Sequence, residues 1–577
     1  MRGPQKTPIR PPKMSSWWED PGSTVFKDLD FRDLNVDEAY LTIKDLEEKH
    51  FSLYSLSEDC YKCPFSLVSE LKNRTGRFIV NTKNNVTWRL YSRKDPTIFA
   101  NDTRLLFCED SPDNFGEFGV YEWHVLNEKC DLITAKQPVS IRLPLIMICF
   151  LLLIMSSFYY LVFHVICKPS KKKHQENEET RNDRRRIKAI DTFRGICILS
   201  MIFINDGGGA YWFFNHATWN GLLPADFIFP WFLWIMGVCI PISLKSQRKK
   251  AISRCSTFQA IIKRTIILFT AGLALNTIVA GPSLKHLRIF GVMQRLAVSY
   301  FATATVSNFF TFGSYDTSDK GKFRRYSNDV LMLIPQWIIF SCILAVHIYL
   351  TFFYPVPGCP LGYLGPGGLH ENGMFSNCTG GAAGYFDTII LGVNHIFQNN
   401  EIIRVYGSQS FDPEGLLGCL TSIFQTFLGV QAGAIMIYHK SPEGRLKRWL
   451  TWSVLLIVVG LILCQLRING GWIPLNKNLW SVSFVMITSG FGFALLSFCY
   501  FIIDHCQYWN GSPFFFPGMN SFLLYCGHEV TYKMFPWHYS IGSMNTHFML
   551  TIEALWGTAV WAVISYMLYK NKFFLTI

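Results

Sequence analysis

Eleven apolar stretches run through the chain, at about residues 144–166, 190–205, 222–243, 258–279, 290–312, 330–353, 415–437, 449–466, 480–502, 514–533 and 549–569. A helix of about 20 apolar residues spans the hydrocarbon core of a bilayer, where every backbone N–H and C=O must be bonded internally. The spacing therefore predicts a polytopic α-helical membrane protein with about 11 transmembrane helices, the second and tenth being the least apolar. Composition agrees. Of 577 residues, 50% are hydrophobic and 16% charged, with a mean hydropathy of +0.19, whereas soluble proteins carry roughly 25% charged residues. A soluble multidomain enzyme, a disordered scaffold and a fibrous protein are excluded.

The net charge of +13 raises the question of nucleic acid. Its distribution argues against that partner, because the basic residues sit in short runs between apolar segments and no reading module accompanies them. Lys168 to Lys188 holds nine Lys or Arg; further basic loops run from Lys245 to Arg264, Lys320 to Arg325 and Lys440 to Arg448, and the tail adds Lys570 and Lys572. Each follows an odd-numbered apolar segment, so all share one side, the cytosol by the positive-inside rule. The C-terminus is then cytosolic. The N-terminal region and the loops at 206–221, 280–289, 354–414, 467–479 and 534–548 are lumenal.

Residues 1–140 form a polar first domain, with alternating patterns at Arg77–Val80 and Val86–Tyr91 that favour strands. Three glycosylation sequons begin at Asn73, Asn85 and Asn101, and a fourth at Asn377 falls in the lumenal 354–414 loop. The same regions hold Cys60, Cys63, Cys108, Cys130, Cys359 and Cys378, an even set in an oxidising compartment. Disulfides are expected, one of them joining the N-terminal domain to the 354–414 loop; six cysteines allow 15 pairings. A zinc site at Cys60-x-x-Cys63 is the alternative. The remaining organisation is a first helix and basic cytosolic loop at 141–186, then a ten-helix domain at 187–577. Met1 to Pro21 is basic and Pro-rich without an apolar signal core; either the first helix translocates its own N-terminal tail or the natural start lies elsewhere.

Charges inside a bilayer are costly and mark function by default. Asp191 and Arg194 lie three apart on one helical face near the cytosolic end, as a structural pair or as an anion site facing the cytosol. The same helix ends in Asn205-Asp206-Gly207-Gly208-Gly209, followed by Asn215-His216-Ala217-Thr218-Trp219-Asn220-Gly221. Three glycines allow close backbone approach to a ligand, or simply make a turn. Further polar clusters fall at lumenal helix ends: Arg288, Gln294-Arg295, Asp412-Pro413-Glu414, Asn476-Lys477-Asn478 and Gly527-His528-Glu529. Helix caps account for Asp412 and Asn478 as readily as function does. Asp226 either orients His216 or serves its own helix. The hydrolase, zinc-protease and Walker motifs are missing from the sequence, and the Gly-rich runs at 365–368 and 380–384 read as loop turns.

The run Arg186-Ile187-Lys188-Ala189-Ile190-Asp191-Thr192-Phe193-Arg194-Gly195 resembles the lysosomal transmembrane acyltransferase family. The likeness continues through Asn205–Gly209, Trp212–Leu222, Ala225–Phe232, Cys378–Tyr385, Phe411–Gly415, Ile473–Ser481 and Phe516–Ser521. It implies transfer of the acetyl group of cytosolic acetyl-CoA to the terminal non-reducing α-glucosamine of heparan sulfate in the lysosomal lumen, with no metal. It also implies a homodimer. The family's active histidine is that of His-x-x-Trp-Asn-Gly, here His216, with Asn205 also implicated. Under that reading Arg194, Asp191, Arg295 and Lys477 are expected to hold the coenzyme, and Asp226, Trp219, Asn220, Glu414, His528 and Glu529 the sugar. The chain departs from the family pattern at Asp206, where a tyrosine is usual.

An amine must be neutral to attack a thioester, and histidine is the base suited to a mildly acidic lumen. Two mechanisms follow. His216 deprotonates the amine in a ternary complex, with Asn205 or a backbone N–H stabilising the oxyanion, or it carries the acetyl group covalently. The competing function classes are an O-acyltransferase of another glycan, a secondary transporter of an anionic sugar, and a receptor built on the N-terminal domain. Internal repeats, the mark of many transporters, are not visible in the sequence.

Overall fold

The computed structural model describes residues 25–44, 51–71, 75–92, 98–99, 102, 106–110, 115–126, 129–161, 187–310, 327–542 and 544–575. Asn73, Asn101 and the basic loops beginning at Lys168 and Lys320 lie outside them, apart from Ile187 and Lys188 at the end of the first.

The N-terminal region is a β-sandwich. Its strands are β1 (Val25–Phe26), β2 (Leu29–Asp30), β3 (Glu38–Lys44), β4 (Phe51–Ser57), β5 (Ser66–Leu71), β6 (Gly76–Asn81), β7 (Val86–Tyr91), β8 (Leu106–Asp110), β9 (Val120–Leu126) and β10 (Lys129–Lys136). After a β1–β2 hairpin, one sheet runs β10-β9-β3-β6 and the other β5-β4-β7-β8. Only β3 and β9 pair in parallel; β3 meets β9 through Leu41 opposite Tyr121 and β6 through Leu41 opposite Phe78. Alternate residues point inward, so Leu41, Ile43, Leu53, Val80, Leu90 and Trp123 make the buried core. The Cys108–Cys130 disulfide ties β8 of one sheet to β10 of the other.

The helical part consists of α1 (Arg142–Tyr160), α2 (Lys188–Asn205), α3 (Ile228–Lys249), α4 (Arg254–Ala280), α5 (Val292–Phe309), α6 (Ile334–Phe352), α7 (Leu416–Tyr438), α8 (Pro442–Cys464), α9 (Val482–Cys499), α10 (Phe515–Met519), α11 (Ser521–Val530) and α12 (His547–Lys570). Ser253, Ser441, Ser481 and Thr546 cap α4, α8, α9 and α12, their side chains accepting backbone N–H bonds. Seven helices among the described residues are long and apolar enough to cross a membrane: α3, α4, α6, α7, α8, α9 and α12. The expected count of about 11 is met by this criterion only in part. The second and fifth segments form the 18-residue α2 and α5; Asp191 and Thr192 are buried on α2, and the buried face of α5 is mostly polar, with Gln294, Arg295, Ser299, Thr303, Ser307 and Asn308. The first is apolar but short in the described residues.

The tenth segment is broken, for two visible reasons. Asn520, between α10 and α11, donates to the Phe573 carbonyl at 3.0 Å and accepts from Leu575 N at 3.0 Å. Gly518 and Gly195 bring α10 and α2 backbone to backbone, since a Cβ on Gly195 would strike the Phe514 carbonyl and one on Gly518 the Asp191 carbonyl. The buried axis of the bundle is α7, packed on α3 by the same device: a Cβ on Gly237 would strike the Thr426 carbonyl, and one on Gly429 the Trp234 carbonyl. Small residues allow this approach where a hydrophobic driving force between helices is weak.

The loops after α2, α6 and α8 meet one another and the β-sandwich on one face. Tyr406 OH donates to the Asp59 carbonyl at 2.9 Å and accepts from Tyr61 N at 3.2 Å; Lys62 pairs with Glu371 at 3.5 Å. The expected disulfide between the sandwich and the 354–414 loop is not formed. Cys60 bonds Cys63, and Cys359 bonds Cys378, each within its own segment. The joint is made by polar contacts instead, and pairing with Cys63 takes the Cys60 thiol away from zinc. Asn85 and Asn377 lie exposed on turns.

Candidate active site

The turn after α2 sets the site. Gly207, Gly208 and Gly209 all have positive φ, at 97°, 54° and 72°, which glycine adopts without steric cost. They reverse the chain at the end of α2. The glycines do not open to a ligand together: Gly209 packs against Thr551 of α12, and its carbonyl bonds His547 Nδ1 at 2.8 Å. The returning segment carries His216 back beside the short 3₁₀ turn Pro224–Phe227 that leads into α3 and holds Asp226.

Asp226 is fully buried. Its Oδ1 lies 2.8 Å from His216 Nδ1, and its Oδ2 accepts from Leu223 N at 3.0 Å and Ala217 N at 3.2 Å. Lys477 Nζ stands 3.7 Å from the same carboxylate. A carboxylate only accepts, so Nδ1 carries the imidazole proton and Nε2 keeps its lone pair. The His216 side chain opens over 48% of its surface, onto a cavity, while protein encloses the rest. That burial, helped by the Lys477 charge and opposed by Asp226 and Glu414, holds its pKa below the ordinary value of 6.5. The imidazole is thus kept a neutral base into mildly acidic conditions.

The cavity, about 560 Å³, is lined by Asn205, His216, Arg288, Glu414, Lys477, Asn478, His528 and Glu529 among others. Arg288 Nη2 bonds both Asp412 Oδ1 and Glu414 Oε2 at 2.6 Å, and its Nε bonds Asp412 Oδ2 at 2.9 Å. Burial penalises the guanidinium, but the two carboxylates outweigh it and raise its pKa. Glu414 is likewise penalised by burial, and Arg288, Arg295 and Lys477 hold it ionised, below its usual range. Burial lowers the Lys477 pKa against the pull of Asp226 and Glu414. The wall therefore holds fixed opposite charges beside His216, with His528 also on it.

A second, largely apolar cavity of about 140 Å³ contains Arg194 and Arg264. It shares Met201, Phe229, Val292 and Tyr525 with the first. A third shares Met236, Cys239 and Arg264 with the second and reaches Gln247 and Thr257. The three adjoin through common walls along the length of α3, from its basic end to His216.

Other residues singled out by sequence sit elsewhere. Trp219, expected at the sugar, is buried, donating to the Leu364 carbonyl at 2.9 Å and meeting Phe411 edge-on. Asn220 bonds Asn469 at 2.8 Å and Asn476 at 3.0 Å. Both brace the loops behind the cavity, because their polar atoms are spent on backbone and amide partners. Arg295 is buried under the Gly415 carbonyl at 3.0 Å and over the Trp480 ring, lining no described cavity. Asp191 is buried against Arg194, and Asp226 lies behind the cavity wall, in contact with His216, Ala217 and Lys477, which line it. Arg264, read from the sequence as the end of a basic cytosolic loop, and Tyr525 are not among the site residues expected from the sequence. Arg264 interrupts an apolar segment and was open to the same rule as Arg194; Tyr525 carries no such signal.

Membrane-length helices enclosing a His–carboxylate pair on an internal cavity define a helical membrane protein with a candidate acid–base centre. A family model described as "Heparan-alpha-glucosaminide N-acetyltransferase, catalytic" matches residues 186–313. The mouse protein named heparan-alpha-glucosaminide N-acetyltransferase is 34% identical, covering 96% of this chain and 91% of its own length. The human protein of that name is 34% identical over 95% of this chain and 90% of its own. The chain belongs to the heparan-alpha-glucosaminide N-acetyltransferase family and is an acyltransferase.

Proposed function

We propose that this chain transfers the acetyl group of acetyl-CoA, entering from the cytosol, to the amine of the terminal non-reducing α-glucosamine of heparan sulfate in the lysosomal lumen. The observation that carries the reading is His216, its Nδ1 fixed by Asp226, on the wall of a cavity that shares lining residues with a second cavity bearing Arg194 and Arg264. The face bearing the β-sandwich is then lumenal and the basic end of α3 cytosolic, in keeping with the positive-inside rule.

His216 Nε2 takes a proton from the sugar amine as its nitrogen attacks the thioester carbonyl. The C–N bond forms, the C–S bond breaks, and the departing thiolate recovers a proton from the imidazolium. Because the cavities adjoin, donor and acceptor reach His216 together, which favours direct transfer over a covalent acetyl carrier. Arg194 and Arg264 suit the phosphates of the donor by charge and fork geometry. Glu414, His528 and Glu529, which line the same cavity as His216, suit the polar edges of the sugar.

Transfer from labelled acetyl-CoA to glucosamine, measured in membranes carrying wild type or His216→Ala at equal expression, tests this. Wild type is expected to transfer and the variant to lose at least about a hundredfold in rate. Full activity in the variant removes His216 as base or carrier. No transfer by a folded wild type overturns the reading.

A further inference from the structure

A cavity of about 590 Å³ adjoins the one that holds His216, and the mechanism above makes no use of it. Its size falls within the range of about 300–1,000 Å³ typical of small-molecule sites. The two cavities share Tyr532, in the loop that follows α11. Asp206, at the end of α2, and Glu553 of α12 form the far wall, and Lys533, Phe535 and His538 of the same loop complete it. His538 Nδ1 lies 2.6 Å from Glu553 Oε1, and its Nε2 3.4 Å from Asp206 Oδ1. Carboxylates only accept, so the doubly protonated ring fits between them. Burial pushes the Asp206 carboxyl up to about 6, with Glu553 and Glu529 adding to the rise and His538 and His528 opposing it. In mildly acidic conditions Asp206 is therefore largely neutral and His538 balances Glu553. The charge left over is that of Lys533, which is exposed, stands 5.3 Å from the centre of the Tyr532 ring and makes no ion pair among the described residues. Tyr532 and Phe535 are 51% and 81% exposed, so their rings are free to be covered.

We infer that this cavity is a second acceptor subsite, which takes the uronic acid next to the reacting glucosamine, its ring against Tyr532 and Phe535 and its carboxylate on Lys533. The inference rests on the acetyl-transfer reading above and deepens it. Heparan sulfate alternates glucosamine with uronic acid, so a chain whose terminal ring lies beside His216 presents an anionic ring immediately after it. Tyr532, common to both cavities, marks where the glycosidic bond crosses. The apolar C–H face of a sugar packs on an aromatic ring, and its carboxylate accepts a charge-assisted hydrogen bond from an ammonium group. Both contacts lie away from the reacting amine, so they strengthen acceptor binding without entering the chemistry. Asp206, where the chain departs from the family pattern, stands on this wall and not beside His216.

The test is the kinetics of transfer from labelled acetyl-CoA, at saturating donor and pH 5, in membranes carrying the full-length protein. Three acceptors are compared: glucosamine, glucosamine α-linked to glucuronic acid, and glucosamine α-linked to glucose. In wild type, kcat/KM is expected to be several-fold higher for the neutral disaccharide than for glucosamine. The uronate disaccharide gains about tenfold more, the worth of one charge-assisted hydrogen bond. Lys533→Gln removes the step from the neutral to the uronate disaccharide. Phe535→Ala lowers both disaccharides toward glucosamine. Each variant leaves transfer to glucosamine unchanged, which also shows that it is folded. The inference is overturned if wild type treats the uronate disaccharide and glucosamine alike, if it prefers the neutral disaccharide to the charged one, or if Lys533→Gln keeps the uronate advantage. Should Phe535→Ala transfer to no acceptor, Lys533→Gln decides. Failure of the acetyl-transfer reading appears separately, as no labelled acetyl on any of the three acceptors in wild type.

Discussion

His547 Nε2 lies 3.0 Å from Asp37 Oδ1, and this contact fastens the β-sandwich to the first turn of α12. The same nitrogen is 3.7 Å from Glu117 Oε2, the ring stacks on Tyr211 at 4.4 Å, and Nδ1 holds the Gly209 carbonyl. One imidazole thus connects the sandwich, a helix end and the turn that delivers His216. Both nitrogens face acceptors, so the doubly protonated ring fits the contact best.

The docking is expected to be pH-dependent. Burial pushes the Glu117 carboxyl up from 4.5 to about 7, with Asp37 adding to the effect and His547 opposing it. A raised folded pKa stabilises the contact fully below the unfolded value of 4.5, and that stabilisation is lost as pH rises through about 7. Protection factors for hydrogen exchange in β9 and residues 206–211, corrected for the base-catalysed intrinsic rate, should be higher at pH 5 than at pH 8. Glu117→Gln should shrink the difference.

Asp226→Asn preserves volume but offers an NH₂ to His216 Nδ1, favouring the tautomer with its proton on Nε2. The expected loss in kcat is about 10²- to 10⁴-fold, with the acceptor KM little changed. Steady-state kinetics at saturating donor reads it.

Lys477 depresses the His216 pKa. The base works only when neutral, so activity is lost as pH falls through that pKa. Lys477→Met removes the depressing charge and should move the acid limb of the kcat profile to higher pH. A limb that stays in place, or moves down, would detach Lys477 from the base.

Arg194 and Arg264 are the cationic side chains of the second cavity. Replacing either by Ala should raise the KM for acetyl-CoA by about tenfold or more, as loss of a charge-assisted hydrogen bond does. The acceptor KM should hold. A matching rise in both constants would point to a general disturbance of the bundle.

Gly237→Val places a branched side chain against the Thr426 carbonyl where α3 and α7 touch. Relief requires moving two buried helices apart, so overpacking of about 1–3 kcal/mol or more is expected. A lower melting temperature and less folded protein in detergent check it. Gly281→Ala, at a glycine with no atom within 4 Å of a Cβ, meets no such clash, though its φ of 77° still carries a backbone cost.

Much of the architecture is legible in the chain because its signals are local. Twenty apolar residues predict a spanning helix without reference to the rest of the molecule, and most of the apolar segments recur as helices near the expected bounds. The exceptions have tertiary causes. Segment 514–533 looks continuous, yet Asn520 turns aside to bond the C-terminal tail and Gly518 to meet Gly195. The cysteines showed which thiols were available but not their partners, because pairing depends on how strands and loops fold over one another. Trp219 and Asn220 lie in the motif around His216 and read as ligand contacts, yet their polar atoms are consumed by Leu364, Asn469 and Asn476.

By itself the sequence determined the class: a helical membrane protein with a β-rich N-terminal region and a histidine at a helix mouth, all written in hydropathy, alternation and motif. The tertiary structure alone decided what surrounds that histidine. Asp226, Lys477, Glu414 and Asn205 come from separate stretches of chain, and only packing sets which nitrogen of His216 is free and which side chains share its cavity. Hydrogen-bond polarity depends on distance and direction between groups remote in sequence, which composition and spacing do not encode.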